Sequence, residues 1–308
     1  MGGAPSRAAC SAQMRGQRVA IGRDRGLQLR MLLTLGLLGC LYTTLGVILL
    51  VAGGGVLAMA LVLALLALGQ IWLSEKLALR AMHAHVVSPQ DAPGLHALVE
   101  RLAIQADVPM PRIALSDLEV PNAFALGRSP KHATVCVTRG LLGMLERSEL
   151  EGVLAHELAH IKNRDVALMT MASFFASVAA LIAQWGAFAG IGDRDRGPGM
   201  IVILLVSIAV YVISYLLMLA LSRYREFAAD RGAALLTGRP SALASALGRL
   251  SNAAARVPER DLREAAGMQA FFIVPSASGL ASRLLATHPP TSQRIERLGQ
   301  IEAQLQHL

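Results

Sequence analysis

The chain has 308 residues, of which 54% are hydrophobic and only 16% charged, whereas a soluble domain carries about 25% charge. That shortage excludes an ordinary soluble globule, and the bunching of the apolar residues points to membrane spans. The net charge of +8 does not imply nucleic acid: Arg7, Arg15, Arg18, Arg23, Arg25 and Arg30 all precede the first apolar run, where they read as a topology signal, and no basic–aromatic pattern of an RNA binder is visible. Cys10, Cys40 and Cys136 are odd in number and scattered, and imply neither a disulfide framework nor a thiolate metal site.

In chain order, residues 1–30 read as a basic, flexible tail. Apolar runs at 31–52 and 56–73 flank Gly53-Gly54-Gly55. Each approaches the ~20 residues that a bilayer-crossing helix needs, so a transmembrane hairpin is predicted over 31–73. The apolar run continues past the small-residue site Ala58-Met59-Ala60, which argues against a cleaved signal peptide. Residues 75–165 are polar enough to be soluble. Leu95, Leu98, Val99, Leu102 and Ala103 lie at helical spacing, and strands are predicted at 112–116, 122–126 and 134–138. Uncharged runs at 166–190 and 200–221 predict a second hairpin over 166–221, turning at Asp193 to Gly199. Helices near 222–237 and 241–255 follow, then a loop over 257–286 and a last helix bearing Ile295, Leu298, Ile301 and Leu305 within 222–308. With two hairpins, both soluble pieces share a side with the Arg-rich tail, which the positive-inside rule assigns to the cytoplasm.

The chemical signal is His156-Glu157-Leu158-Ala159-His160. Side chains four apart on a helix share a face, so both imidazoles can reach one cation, and neutral imidazole suits Zn²⁺. Glu157 then lies beside the metal, where it can take a proton from an activated water and return it to a leaving amine. Chance gives roughly 0.01 such matches in a chain with this many His and acids. Ser148-Glu149-Leu150-Glu151 has the form of a capping box, with Ser148 as N-cap and Glu151 reaching back. A catalytic zinc wants three protein ligands. Glu226 follows the fourth apolar run as closely as the His pair precedes the third, so a hairpin over 166–221 would return it to the same membrane face. Asp230, one turn beyond Glu226, could accept a hydrogen bond from the outer nitrogen of a ligand His. His83, His85, His96, His132 and His307 read as solvated, turn or terminal residues; His288, held by Pro289 and Pro290, reads as a capping or surface residue on spacing alone.

Five ordered motifs carry a resemblance: Glu75 to Met82, Pro121-Asn122-Ala123-Phe124-Ala125, the metal helix running on to Asn163-Arg164-Asp165, Ser222 to Asp230, and Thr287-His288-Pro289-Pro290. The chain resembles the HtpX-type membrane zinc metalloproteases, relatives of the CAAX prenyl proteases. The resemblance implies an α+β, mainly helical, multi-pass protein with about four transmembrane helices and a zincin-like cytoplasmic metalloprotease domain, in the inner membrane. It implies one zinc held by His156, His160 and Glu226, with Glu157 as general base and His288 stabilising the oxyanion. The strand holding Asn122, Ala123 and Phe124 would pair with extended substrate. Misfolded or damaged membrane proteins would be its substrates and the bilayer its other partner. Leu126 departs from the small Thr of many relatives. Two other classes are weighed. A scaffold or receptor with a structural metal would not need Glu157, and a metal transporter would need polar ligands within the spans, which hold almost none.

Overall fold

The computed structural model describes residues 25–51, 69, 75–76, 78–165, 198–254 and 288–307. The Gly53 triplet, most of the second apolar run, residues 166–197 of the second expected hairpin and the expected loop over 257–286 lie outside the described residues.

Strand β4 (Ala133–Thr138) is rich in β-branched residues, Thr134, Val135, Val137 and Thr138, and is buried along its whole length. It is flanked by β2 (Arg112–Ser116), to which it runs parallel, and by β3 (Ala123–Gly127), to which it runs antiparallel. A three-residue strand, β1 (Ala84–Val86), pairs antiparallel with β2 and completes the order β1-β2-β4-β3. The sheet is therefore mixed, and among the described residues β3 is an edge strand. The predicted strands match these to within a residue. β1 was not expected, because three residues carry too little alternation to be read.

Helix α1 (Arg25–Val51) starts inside the stretch read as a flexible tail. Leu27 and Leu29 extend the apolar run across Arg30, which an exposed helix face tolerates. Helix α2 (Pro93–Ala106) opens on a proline and buries Leu95, Leu98, Val99, Leu102, Ala103 and Ala106. A short helix, α3 (Arg139–Met144), leads into α4 (Arg147–Lys162). The capping box of α4 is Glu146 with Glu149, whose carboxylate accepts the Glu146 N–H at 2.9 Å. The pairing of Ser148 with Glu151 expected from sequence is thus corrected by two residues. Leu145 leaves α3 extended and the helix restarts at once, so Ser148 is already in its first turn.

Helix α5 (Pro198–Thr237) is 40 residues long and unbroken. The sequence reading divided it into a span and a separate helix over 222–237. No Gly or Pro falls between Met200 and Gly232 to interrupt it, and Gly238, at φ 65, ends it. Helices α6 (Pro240–Ala254) and α7 (Thr291–Gln306) follow. One core draws on both soluble pieces: Val99 and Leu102 of α2, Val135 and Val137 of β4, Leu154 and Leu158 of α4, Leu243 and Leu247 of α6, and Leu298 of α7. The other sheet face packs Ala114, Phe124 and Cys136 on Ala78 and Met82. Burial pushes the Cys136 thiol up to about 12, so it is inert packing. Helix α1 meets α5 through Leu38 and Leu221, with Met31, Leu35, Leu217 and Met218 around them.

Candidate metal centre

Helix α4 lies between β3, α5 and α6. Small residues let it approach closely: a Cβ on Gly152 would stand 3.1 Å from the Leu243 backbone nitrogen. This burial takes His156, Glu157 and His160 to 2%, 5% and 8% exposure, far below what charged groups accept without partners. Glu226 and Asp230, on the neighbouring turns of α5, are equally buried.

His156, His160 and Glu226 offer ligand atoms that all lie within 4.8 Å of one another. The two Nε2 atoms are 3.0 Å apart. Glu226 places Oε1 3.3 Å from His160 and Oε2 3.5 Å from His156. Each ring turns its other nitrogen to a carboxylate: His160 Nδ1 lies 2.6 Å from Asp165 Oδ2, and His156 Nδ1 lies 3.0 Å from Asp230 Oδ1. A proton on each Nδ1 facing these carboxylates would leave both Nε2 lone pairs directed at each other and at Glu226. A metal cation satisfies such a convergence. Two nitrogens at ~2.0–2.1 Å from a tetrahedral zinc lie about 3.4 Å apart, so the donor set fits that ion with a shift of a few tenths of an ångström.

The geometry around Asp165 has a local cause. Helix α4 ends at Lys162, and Arg164 adopts a left-handed conformation, φ 57. That reversal turns Asp165 back under His160, where it is fully buried and also meets Arg225 Nε at 3.1 Å. Arg294 of α7 is 1% exposed and forks onto Asp230, with Nη2 2.6 Å from Oδ1 and Nε 2.8 Å from Oδ2, while Nη1 lies 3.2 Å from Glu226 Oε2. His288 Nδ1 lies 3.1 Å from the same Glu226 oxygen. The sequence reading gave no role to Asp165, Arg225 or Arg294. Asp165 has a signal in its distance from His160, five residues, just past the helix end. Arg294 has none, because a single Arg on an amphipathic helix looks solvated.

Burial disfavours protonation of His160, yet Asp165 and Glu226 outweigh it and push its pKa up to about 10. His156 is raised in the same way, against burial, by Asp230 and Glu226. Glu226 would be raised by burial, but His288, Arg294 and the two ring nitrogens hold it well below the usual carboxylate range. Asp230 is likewise held low against burial, chiefly by Arg294. Glu157 goes the other way. Burial dominates and lifts it, opposed by the neighbouring imidazoles and by a hydrogen bond from the Ala125 backbone. Glu226 and Asp230 are thus held low by cationic neighbours, whereas burial moves Glu157, beside β3, in the opposite direction.

Of the residues expected from sequence, the structure brings together His156, His160, Glu226, Glu157, Asp230 and His288. Asn122, Ala123 and Phe124 lie at the start of β3, and Glu157 meets that strand at Ala125.

Residues 89–302 match Peptidase family M48. A protein named Protease HtpX homolog from Moorella thermoacetica is 48% identical over 295 residues, covering 94% of this chain and 99% of its own. Protease HtpX homolog 1 of Streptomyces coelicolor is 48% identical over 289 residues, covering 92% and 95%. Among solved structures, S. mikatae Ste24p superposes with a TM-score of 0.53 at 17% identity, over 86% of this chain and 62% of that one. At that identity, and with less than two thirds of Ste24p spanned, the likeness is one of fold.

Proposed function

Because the chain belongs to peptidase family M48 and is a metallopeptidase, we propose that it is a membrane-embedded zinc endopeptidase that hydrolyses bonds in misfolded or damaged membrane proteins. The observation that carries this reading is the convergence of ligand atoms of His156, His160 and Glu226 within 4.8 Å, beside the buried Glu157 carboxyl.

His156, His160 and Glu226 would hold the zinc, and Asp230 and Asp165 would orient the two rings. When bound, the ion supplies Lewis acidity, which acidifies a water and polarises a carbonyl. Glu157 accepts the proton that hydrolysis releases and delivers it to the departing amine. Burial raises its pKa above the ordinary carboxylate range, which strengthens it as a proton acceptor. The edge strand β3, with Asn122, Ala123 and Phe124 at its start, aligns the substrate as an added strand. His288 directs a ring nitrogen toward the oxygen that gains charge. Arg294 keeps Glu226 and Asp230 ionised against burial.

The membrane part of the reading rests on apolar surface. Leu32 and Leu37 of α1, and Leu205 and Leu216 of α5, are 55–66% exposed. The helix over Ile208–Thr237 is long and apolar enough to cross a bilayer by length and composition. Hairpins over 31–73 and 166–221 give four spans, and the arginines before the first keep the metal centre, assembled from 75–165 and 222–308, on the cytoplasmic side of the cell membrane.

The test is zinc content and proteolysis measured side by side. Wild type should carry one zinc per chain and cleave casein. Glu157→Gln should keep the zinc and lose cleavage, and Glu226→Ala should lose both. Full cleavage by Glu157→Gln would overturn the mechanism.

A further inference from the structure

A shallow cleft opens beside His160, lined by Leu126, Arg128, Ala133, Ile161 and Arg164 among others. Among the described residues its lining includes two arginines and no carboxylate. The nearest acid in sequence, Asp165, is buried and committed to His160 and Arg225. Both corners of the cleft are conformationally fixed. Gly127 sits at φ 124, where a Cβ would fall 2.1 Å from the His132 carbonyl oxygen, and Arg164 is left-handed at φ 57. The cleft is therefore shaped by rigid backbone, with His160 forming part of its wall.

Its position along β3 gives it a direction. Glu157 meets the strand at Ala125, and the cleft lies beyond that point, at the carboxyl end of β3. A peptide added antiparallel to the outer edge of β3, as β4 is on the inner edge, runs with its amino-terminal half toward Gly127. On the reading that β3 aligns the substrate, we propose that this cleft is the subsite for a side chain on the amino-terminal side of the scissile bond, and that Arg164 selects an acidic side chain there. Leu126, Ala133 and Ile161 suit the methylenes of a glutamate, and the Arg164 guanidinium suits its carboxylate. Leu126, where a smaller residue would deepen the cleft, then acts on this same position.

The experiment uses the full chain in detergent with zinc, and fluorogenic peptides that differ only by Glu, Gln or Lys at each of the three positions before the scissile bond. An exposed arginine predicts a Glu-over-Lys ratio in kcat/KM of about tenfold at one position. Arg164→Glu should abolish or invert that ratio. A second arm measures binding of dye-labelled Glu and Lys peptides to Glu157→Gln by anisotropy, alone and combined with Arg164→Glu, and should show the same preference and its loss. An unchanged Glu/Lys ratio in Arg164→Glu, or no preference in wild type, overturns the proposal. Absence of any cleavage by wild type counts against the proposed function instead, and the binding arm still decides the subsite.

Discussion

Glu149 offers a perturbation outside the metal chemistry. Its carboxylate, 5% exposed, accepts the Glu146 N–H at 2.9 Å, the Ser245 hydroxyl at 2.7 Å and Arg249 Nη1 at 2.6 Å. It thus closes the start of α4 and ties that helix to α6. Glu149→Ala removes all three bonds. The two neutral donors contribute ~1 kcal/mol each, and the pair with Arg249, 44% exposed, adds less than ~1 kcal/mol. A first-turn carboxylate adds a few tenths through the helix dipole, so the variant should lose about 3 kcal/mol. Unfolding of the purified protein in detergent at pH 7, followed by circular dichroism, measures this. The pH dependence has a definite sign. Burial would raise the Glu149 pKa, but the Ser245, Glu146 and Arg249 hydrogen bonds outweigh it and lower it. Its contribution is complete above the unfolded carboxyl pKa of about 4.3 and is lost as pH falls through the lower folded value. The gap between wild type and Glu149→Ala should therefore close on acidification below ~4. Glu149→Gln, which keeps one acceptor oxygen, should fall between the two. A Glu149→Ala protein within about 0.5 kcal/mol of wild type at pH 7 would refute the idea that this carboxylate docks α4 on α6.

Arg294→Leu strands Asp230 and Glu226 without their buried counter-charge and should cost about 3–5 kcal/mol in the chelator-treated protein, less with zinc present, as thermal unfolding in the two states will show. Arg294→Lys should recover only part of this, because an ammonium cannot make the fork onto both Asp230 oxygens. Asp165→Asn removes the charge that fixes the His160 ring, and zinc affinity measured by chelator competition should fall about 10–100-fold. Gly152→Val forces α4 from the Leu243 backbone and should destabilise by about 2 kcal/mol in the same melts. Gly152→Ala should stay closer to neutral, its tight contact offset by the ~1 kcal/mol gained on replacing a helical Gly.

The pair His156 and His160 was legible because helical periodicity alone puts positions four apart on one face. Glu226 was legible because it follows an apolar run of hairpin length. Both inferences use only the geometry of regular helices. Where irregular backbone decides, the sequence says less. Asp165 depends on a left-handed residue at Arg164, a position where Gly is usual and Arg gives no warning. Arg294 depends on how α7 returns to the core, which nothing between Ala254 and Thr291 announces in its residue pattern. The capping box shifted from Ser148 to Glu146 because two acceptable patterns overlap, and only the break at Leu145 separates them. The sheet was readable through the β-branched run of β4, whereas β1 is held by its neighbour β2 more than by its own residues.

Helix α5 carries a further consequence. From its membrane-side residues to Glu226 it is one uninterrupted rod, rising 1.5 Å and turning about 100° per residue. With the span ending near Leu221, as proposed, the height of the scissile centre above the lipid headgroups is set by a count of residues, only a few beyond that point. A single residue inserted between Leu221 and Glu226 would swing the carboxylate about a quarter-turn away from the imidazoles while leaving every side chain chemically intact. On the proposed topology, proteolysis is confined to a thin layer next to the bilayer, and a substrate buried deeper has to be drawn out before it can be cut.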